Sequence, residues 1–349
     1  MTALNPNSMF YRLSTILHAF KALYRLSPKE VDDYIKSYDI YECDWVQGQA
    51  MKGTQAVAYT EVKEHILDFY EVINHLCAIG EVEKMYIPPA LDLSQNIISN
   101  QMMFEKKFAQ LLNLKPGDKV FELGCGKGRV AAHLASETGA DITGINIDQG
   151  QLDSATAFAK KNGLSKCVFL NADFNELPFA YADQHFDAIY EIQALSLSRN
   201  LDKLFQELHR ILKPGGKISL LEWVRLPNYD AHNPHHLALM HKVKPLIGAI
   251  GTPSPAEYET ALRNAGFEVL ISEDPSVNHS QEPLIHKASH SFDNLVPFVR
   301  ILVALKIIPK HFVPLFARLQ KNTEALCEAD RLGLITTCYH LVAQKKNAV

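Results

Sequence analysis

The chain has 349 residues, 47% hydrophobic and 21% charged, with a net charge of -4. The length suits one enlarged α/β domain with substantial flanks, the composition is that of a globular protein with a sizeable core, and the mild negative balance excludes a general pull toward nucleic acid. Six cysteines, Cys43, Cys77, Cys125, Cys167, Cys327 and Cys338, include no Cys-x-x-Cys pair; with no secretory signal, they read as reduced thiols in a cytosol-facing protein.

Residues 1 to about 110 read as helices with polar connectors, broken most clearly at Pro88-Pro89. The first stretch, Met9 to Leu26, places Phe10, Leu13, Ile16, Leu17, Phe20, Leu23 and Tyr24 at helical spacing, with Arg12, Lys21 and Arg25 between them. Such a segment either packs on the core or lies on a bilayer surface. No apolar run reaches the roughly 18 residues that a membrane span needs.

From Lys119 the pattern alternates between strands and helices, which implies a parallel sheet covered on both faces. Strands are expected at Lys119–Leu123, Asp141–Asn146, Cys167–Asn171, Phe186–Ile192 and Lys217–Val224. Asp148 followed by Gln151 opens a helix that Gly163 closes, and the stripe Leu201, Leu204, Phe205, Leu208, Ile211 and Leu212 marks another, ended by Lys213-Pro214-Gly215-Gly216. Near the end, Leu295 to Leu319 is again apolar with interspersed Arg300, Lys306, Lys310, His311 and Arg318, and the same two readings are open for it.

Chemistry concentrates where the first strand meets its helix, in Val120 to Gly128. Gly124, Gly126 and Gly128 let a ligand lie directly against the main chain, whereas a turn without a ligand is the plainer reading of the triplet. The Gly-x-Gly-x-Gly spacing departs from the dinucleotide pattern, and Glu122 beside it would repel a pyrophosphate but suits an ammonium or sulfonium. S-adenosylmethionine (SAM) carries both. In a doubly wound sheet the ligand sits beyond the carboxyl ends of the strands. Those ends supply Glu122, Cys125 and the glycines, then Asn146 for ribose hydroxyls, Asp173 for the adenine amino group, Phe174 against the ring, and Glu191 with Gln193.

On these residues the chain resembles class I SAM-dependent methyltransferases, and the sterol methyltransferases in particular. Lys213-Pro214-Gly215-Gly216 is shared with many such enzymes. More specific is Glu222-Trp223-Val224 with Tyr229-Asp230 and Asn233-Pro234-His235-His236, similar to that family's Glu-Trp-Val, Tyr-Asp and Asn-Pro-x-His signature. Lys306-Ile307-Ile308-Pro309-Lys310, Ala325-Leu326 and Tyr339-His340-Leu341-Val342-Ala343 resemble its C-terminal domain. The likeness runs from about residue 100 to 345. Two departures fall on the acceptor side. Gln193-Ala194-Leu195-Ser196-Leu197-Ser198-Arg199 stands where C-24 enzymes have Glu-Ala-Thr-Cys-His-Ala-Pro, and Ile79-Gly80-Glu81-Val82 replaces Tyr-Gly-Trp-Gly.

The resemblance implies a Rossmann-like α/β sheet with three regions: a helical region over 1–110, a SAM-binding domain over 111–275 and a sterol-methyltransferase-type extension over 276–349. It implies SAM as cofactor, a sterol as substrate, and methyl transfer to C-4 of a 3-oxo sterol or to C-24 of a side-chain alkene, with Glu191 or His235 taking the proton. His232, His235, His236 and His241 are expected to be polar surface or acceptor contacts and not metal ligands, since the zinc-protease Glu is missing. Peripheral contact with the cytoplasmic face of the endoplasmic reticulum or another membrane is expected, with the cytosol as the alternative; a homo-oligomer is compatible. A smaller acceptor, such as a quinone or polyketide, and a SAM-binding partner without catalysis are the competing functions.

Overall fold

The computed structural model describes residues 9–79, 83–293 and 295–347. Two helices, α1 (Met9–Arg25) and α2 (Pro28–Ser37), are followed by three short antiparallel strands, β1 (Asp44–Val46), β2 (Gln49–Lys52) and β3 (Gln55–Val57). Then come α3 (Tyr59–Ile79) and α4 (Ile97–Leu111). Ser27 starts α2 with a reciprocal cap: its Oγ accepts from Glu30 N at 3.2 Å while Glu30 Oε2 accepts from Ser27 N at 2.6 Å, with Pro28 in the first turn. The small sheet falls in a region expected to be helices and connectors. Its strands are three or four residues long, too short for alternation to show.

The central unit alternates as expected: β4 (Lys119–Leu123), α5 (Arg129–Thr138), β5 (Asp141–Asn146), α6 (Gln149–Lys161), β6 (Cys167–Asn171), β7 (Phe186–Ile192), α7 (Leu201–Ile211) and β8 (Leu212–Arg225). Next are α8 (Pro234–Ile247), α9 (Pro255–Asn264) and β9 (Phe267–Glu273), then α10 (Glu282–Asp293), α11 (Leu295–Ala304), α12 (Phe312–Gln320), α13 (Thr323–Arg331) and β10 (Ile335–Lys345). Asp148 caps α6 by accepting from Gln151 N at 3.0 Å. The Gln151 side chain does not reach back; its Oε1 accepts from Asn146 Nδ2 at 3.1 Å.

Strand order in the seven-stranded sheet is β6-β5-β4-β7-β8-β10-β9. β4 pairs in parallel with both β5 and β7, so the chain reverses its winding between β4 and β7, and the ligand crevice of such a sheet opens at their carboxyl ends. One face buries Phe121, Phe186, Leu204, Phe205, Leu208 and Leu262. The other buries Phe104, Phe108, Ala131, Leu134 and Tyr190.

The division at residue 275 is corrected by the last strand. β10 is inserted antiparallel between β8 and β9, with Leu341, Val342 and Ala343 all buried, so the C-terminal segment completes the methyltransferase sheet. The helices before it join the N-terminal ones. The rings of Phe20 and Phe312 lie 5.3 Å apart, His311 Nε2 bonds Leu23 O at 2.9 Å, and the Arg318 guanidinium sits 3.6 Å from the centre of the Tyr38 ring. The two ends of the chain thus build one cap, whose α3 lies over the carboxyl edge of the sheet.

Removing residues 335–349 should therefore abolish cooperative folding. Each buried aliphatic side chain lost from a core costs about 2–5 kcal/mol, against a whole-domain stability of about 5–15 kcal/mol. Circular dichroism during thermal unfolding checks this; a normal sharp transition in the truncated chain would restore the segment as a separate unit.

Candidate SAM and acceptor site

The turn after β4 is held by Cys125 N donating to Ile145 O at 3.0 Å and Gly128 N to Cys125 O at 2.8 Å. Gly124, Gly126 and Gly128 all have positive φ, at 66°, 50° and 65°. A Cβ on Gly124 would lie 2.7 Å from Ala194 Cβ, so this loop is pressed against the loop that follows β7. One on Gly126 would meet only Gln151 Oε1, at 3.2 Å.

Two cavities flank the glycine loop and share Gly124, Gly126, Met85 and Ile192. The first, about 90 Å³, brings together Gly124, Gly126, Asn146, Asp173 and Phe174 as expected from strand ends. The second, about 60 Å³, adds Glu122 and Cys125. A larger groove of about 930 Å³ between α1, α3 and α6 adjoins both, meeting the first at Leu67, Asp148 and Gln151 and the second at Lys127 and Arg129.

The electrostatics of this crevice favour a cationic, hydroxyl-bearing ligand. Glu122 is buried; removal from water pushes its carboxyl up to about 8, and its Oε2 has no hydrogen-bond partner although the Tyr190 side chain lies against the group. An ammonium placed there would supply the missing partner and restore the charged form. Asp173, buried at the end of its strand, accepts from the Tyr59 hydroxyl at 2.6 Å and from Asn175 N at 2.9 Å, with Lys63 Nζ 3.4 Å away. A carboxylate has about four acceptor positions, so room remains for an exocyclic amine. The Glu122 oxygen that makes no hydrogen bond and the Gly126 backbone, which faces both cavities, fit SAM.

Three expected site residues lie elsewhere. Gly128 lines neither cavity; a Cβ there would meet the Phe169 ring at 2.5 Å and Ala155 at 2.8 Å, so it serves the packing of α5 on α6 and β6. Glu191 also lines neither, being buried beneath the loop after β7 against Glu222. His235 is an exposed first-turn residue of α8, 2.9 Å from Glu328 Oε1, remote from the crevice lining. The signature around it is scaffold: Asn233 caps α8 by accepting from His235 N, Pro234 occupies the first turn, His236 Nδ1 accepts from Asp230 N, and Trp223 is core. Among the described residues no three His, Cys, Asp or Glu side chains gather as metal ligands would.

What the sequence left unseen comes from far along the chain. Tyr59, Ile66, Leu67 and Tyr70 of α3 form the roof of the first cavity, and nothing local to α3 announces that role. Asp148 and Gln151, read only as helix-start residues, line the cavity as well. The segment after β7 is engaged throughout. Gln193 Oε1 accepts from Ile87 N at 3.1 Å, and its Nε2 donates to Ile87 O at 2.8 Å and to Thr337 O. Ser196 O accepts from Trp45 Nε1 at 3.0 Å, Leu197 O from Asn175 Nδ2 at 3.0 Å, and Arg199 stacks over Tyr59 while donating to Gly48 O. Of the replaced Ile79-Gly80-Glu81-Val82 segment, residues 80–82 lie outside the described residues.

Residues 114–266 match a family model described as a methyltransferase domain. The chain is 30% identical over 267 residues to sterol 24-C-methyltransferase ERG6B of Gibberella zeae, covering 70% of each. It is 28% identical over 341 residues to the Saccharomyces cerevisiae ERG6 sterol 24-C-methyltransferase, covering 90% of this chain and 85% of that one. Among solved structures it is similar in fold to a mycolic acid cyclopropane synthase complexed with SAH and CTAB, at TM-score 0.60 and 17% identity, covering 75% of this chain and 93% of that one.

Gly126→Val should abolish SAM binding in calorimetry, because its side chain would fill the space over the loop. The left-handed backbone adds only about 1–2 kcal/mol of strain, so the fold should persist. Affinity equal to that of the unsubstituted protein would remove the loop from the site.

Proposed function

The chain belongs to the sterol methyltransferase family of SAM-dependent methyltransferases, and from that premise we propose that it methylates a carbon of a sterol held under α3, between the loops after β4 and β7. The observation that carries this reading is the crevice itself: Glu122, the glycine loop, Asn146 and Asp173 converge on one side, and Ile66, Leu67, Met85 and Leu197 form an apolar wall on the other. Bound SAM supplies a sulfonium methyl group open to in-line displacement. The protein's task is alignment at near-attack distance in a dry cavity. In this reading Glu122 Oε2 receives the ammonium, Asn146 and Gln151 the ribose hydroxyls, and Asp173 the adenine amino group, with Phe174 against the ring. The groove between α1, α3 and α6 is the route by which ligands reach them.

The position methylated follows from the wall beside the reacting carbon. Both routes give up one proton to a base: C-4 of a 3-oxo sterol loses it first and attacks as an enolate, whereas a Δ24 alkene loses it after attack and passes through a side-chain cation that the cavity wall must steady. Here the Gln193 amide is committed to Ile87 and Thr337, and Leu197 is aliphatic, so neither position offers an ionisable group. That favours C-4. Attack from C-24 is the second reading, supported by the names of the relatives. Incubation with labelled methyl-SAM and a panel of Δ24 and 3-oxo sterols, read by gas chromatography–mass spectrometry, should give a 4-methyl product; a 24-methyl or 24-methylene product would move the reaction to the side chain. Label in none of the sterols would turn the assignment toward a quinone or polyketide acceptor or a non-catalytic partner.

An insoluble acceptor also motivates peripheral attachment to the membrane that holds it. No described helix is long and apolar enough to cross a bilayer. Both amphipathic segments bury one face in the cap and leave another out: Leu13, Leu17 and Tyr24 on α1, and Phe298, Ile301, Leu305 and Ile307 on and after α11, are exposed beside Arg300, Lys306 and Lys310. Deleting α1 would also remove buried Leu23 and so confuse binding with stability. Leu13, Leu17, Ile301 and Leu305 changed together to Ser should instead reduce binding to anionic liposomes, and turnover on detergent-solubilised sterol should persist. Unchanged liposome binding would remove the membrane from the proposal.

A further inference from the structure

Beneath the loop after β7, two carboxyl groups face each other in the core. Glu191, at 1% exposure on β7, and Glu222, at 0% on β8, each turn one oxygen to the loop: Glu191 Oε1 accepts from Ala194 N, and Glu222 Oε1 from Leu195 N at 2.7 Å. The other oxygen of each, Oε2, makes no hydrogen bond, with the facing carboxyl and, on the Glu222 side, the Tyr258 hydroxyl as neighbours. Tyr258 of α9 and Tyr70 of α3 face Glu222, and both phenols stay neutral because burial raises them. Two bare negative charges in such surroundings would be very costly, and one proton between them removes the repulsion while giving both Oε2 atoms a partner.

We propose that Glu191 and Glu222 share a proton and together act as positioning residues that fix Ala194–Leu197 against the glycine loop. Glu191 holds the proton on Oε2 and donates it to Glu222 Oε2; the two Oε1 atoms then fix the backbone of Ala194 and Leu195. Ala194 is the residue that Gly124 touches, and Ala194 and Leu197 line the first cavity. The pair therefore sets the width of the crevice without meeting the ligand. This inference rests on the reading that the crevice holds SAM.

Burial raises both carboxyls, Glu191 most and Glu222 to about 7. A carboxyl whose folded pKa lies above its unfolded value binds its proton more tightly when folded. Its contribution is complete below the unfolded value, about 4.5, and is lost as pH rises through the folded one. Stability and loop order should thus fall as pH rises from about 5 through about 7, where Glu222 ionises, and further as Glu191 follows. Glu122 adds a fall of the same sign, so the comparison is between the native protein and Glu191→Gln, whose amide supplies the donor hydrogen permanently and leaves only one carboxyl to titrate.

The experiment measures thermal unfolding midpoints and calorimetric SAM affinity across that range for the native protein, Glu191→Gln and Glu191→Leu. The expected result is a shallower decline in both quantities for Glu191→Gln, and for Glu191→Leu a SAM affinity at least about ten-fold weaker at pH 6, because Ala194 N and the buried Glu222 carboxylate both lose their hydrogen-bond partner. Equal slopes for the native protein and Glu191→Gln would overturn the shared proton, and native affinity in Glu191→Leu would overturn the positioning role. Should Glu191→Leu fail to fold, the two slopes decide alone. Failure of the native protein to bind SAM would instead refute the function, while the unfolding midpoints would still test the pair.

Discussion

Everything in the crevice depends on how closely two loops approach at the carboxyl edge of the sheet. With Gly124 lacking a side chain, the turn after β4 lies directly on Ala194, and a single added carbon would sit 2.7 Å from that residue's own Cβ. In the proposed function this contact joins the half of the site assigned to SAM to the half assigned to the acceptor. It also explains why the segment after β7 is bound to so much of the molecule. Its carbonyls reach Trp45 and Asn175, its glutamine reaches Ile87 and Thr337, and its arginine covers Tyr59. The loop is fixed on both sides, by the glycines on one and by the cap on the other.

Buried carboxyls near the switch point show three ways of meeting one electrostatic problem. Burial pushes Glu105 up, but Lys84, Nζ 2.5 Å from Oε2, and His133 outweigh it and hold the group below its ordinary range, with the Tyr86 hydroxyl donating at 2.6 Å. Glu191 and Glu222 have each other, two backbone N–H groups and the neighbouring Tyr258 phenol. Glu122 keeps one oxygen that makes no hydrogen bond, with the Tyr190 phenol as the neighbour that lowers its carboxyl. A buried charge without a partner is expensive, so a site that retains one is prepared for an arriving cation. Of the three arrangements, that of Glu122 lines the cavity, which is what the proposed role as a ligand-binding acid requires.

That distinction was invisible along the sequence, where Glu122 and Glu191 both end parallel strands beside polar loops. The strands themselves were legible: β4, β5, β6 and β7 have the expected boundaries, since β4 and β7 are buried on both faces and leave continuous hydrophobic segments, while the edge strand β6 keeps an apolar run although Val168 and Leu170 are exposed. Convergence of Gly124, Gly126, Asn146, Asp173 and Phe174 followed from topology alone. Side-chain direction did not. Burial of Glu191 depends on Glu222 from the neighbouring strand, and the exposure of His235 depends on its place in the first turn of α8, which Asn233 and Pro234 set. The most family-specific residues, Glu222-Trp223 and Asn233-Pro234, hold the scaffold, so their specificity identified the architecture more directly than the chemistry. β10 was missed for a related reason: it pairs with strands more than sixty residues earlier in the chain, and no local pattern reports its neighbours.

Rewriting the segment after β7 carries a consequence for how such a fold can change its acceptor. The helical cap, built from both ends of the chain, touches the sheet largely through this segment and through Asp173, which Tyr59 and Lys63 of α3 engage. Replacing a carboxylate and an imidazole by Gln193 and Leu197 therefore does two things at once. No ionisable group stands at these two positions, and Gln193 bridges to Ile87 and Thr337. The amide suits the second task because it donates and accepts together, pairing with both the N–H and the carbonyl of Ile87, which a carboxylate cannot do. On this argument the glutamine is retained for the rigidity it gives the crevice, while recognition of the acceptor passes to the apolar and phenolic surface that α3 lays over it.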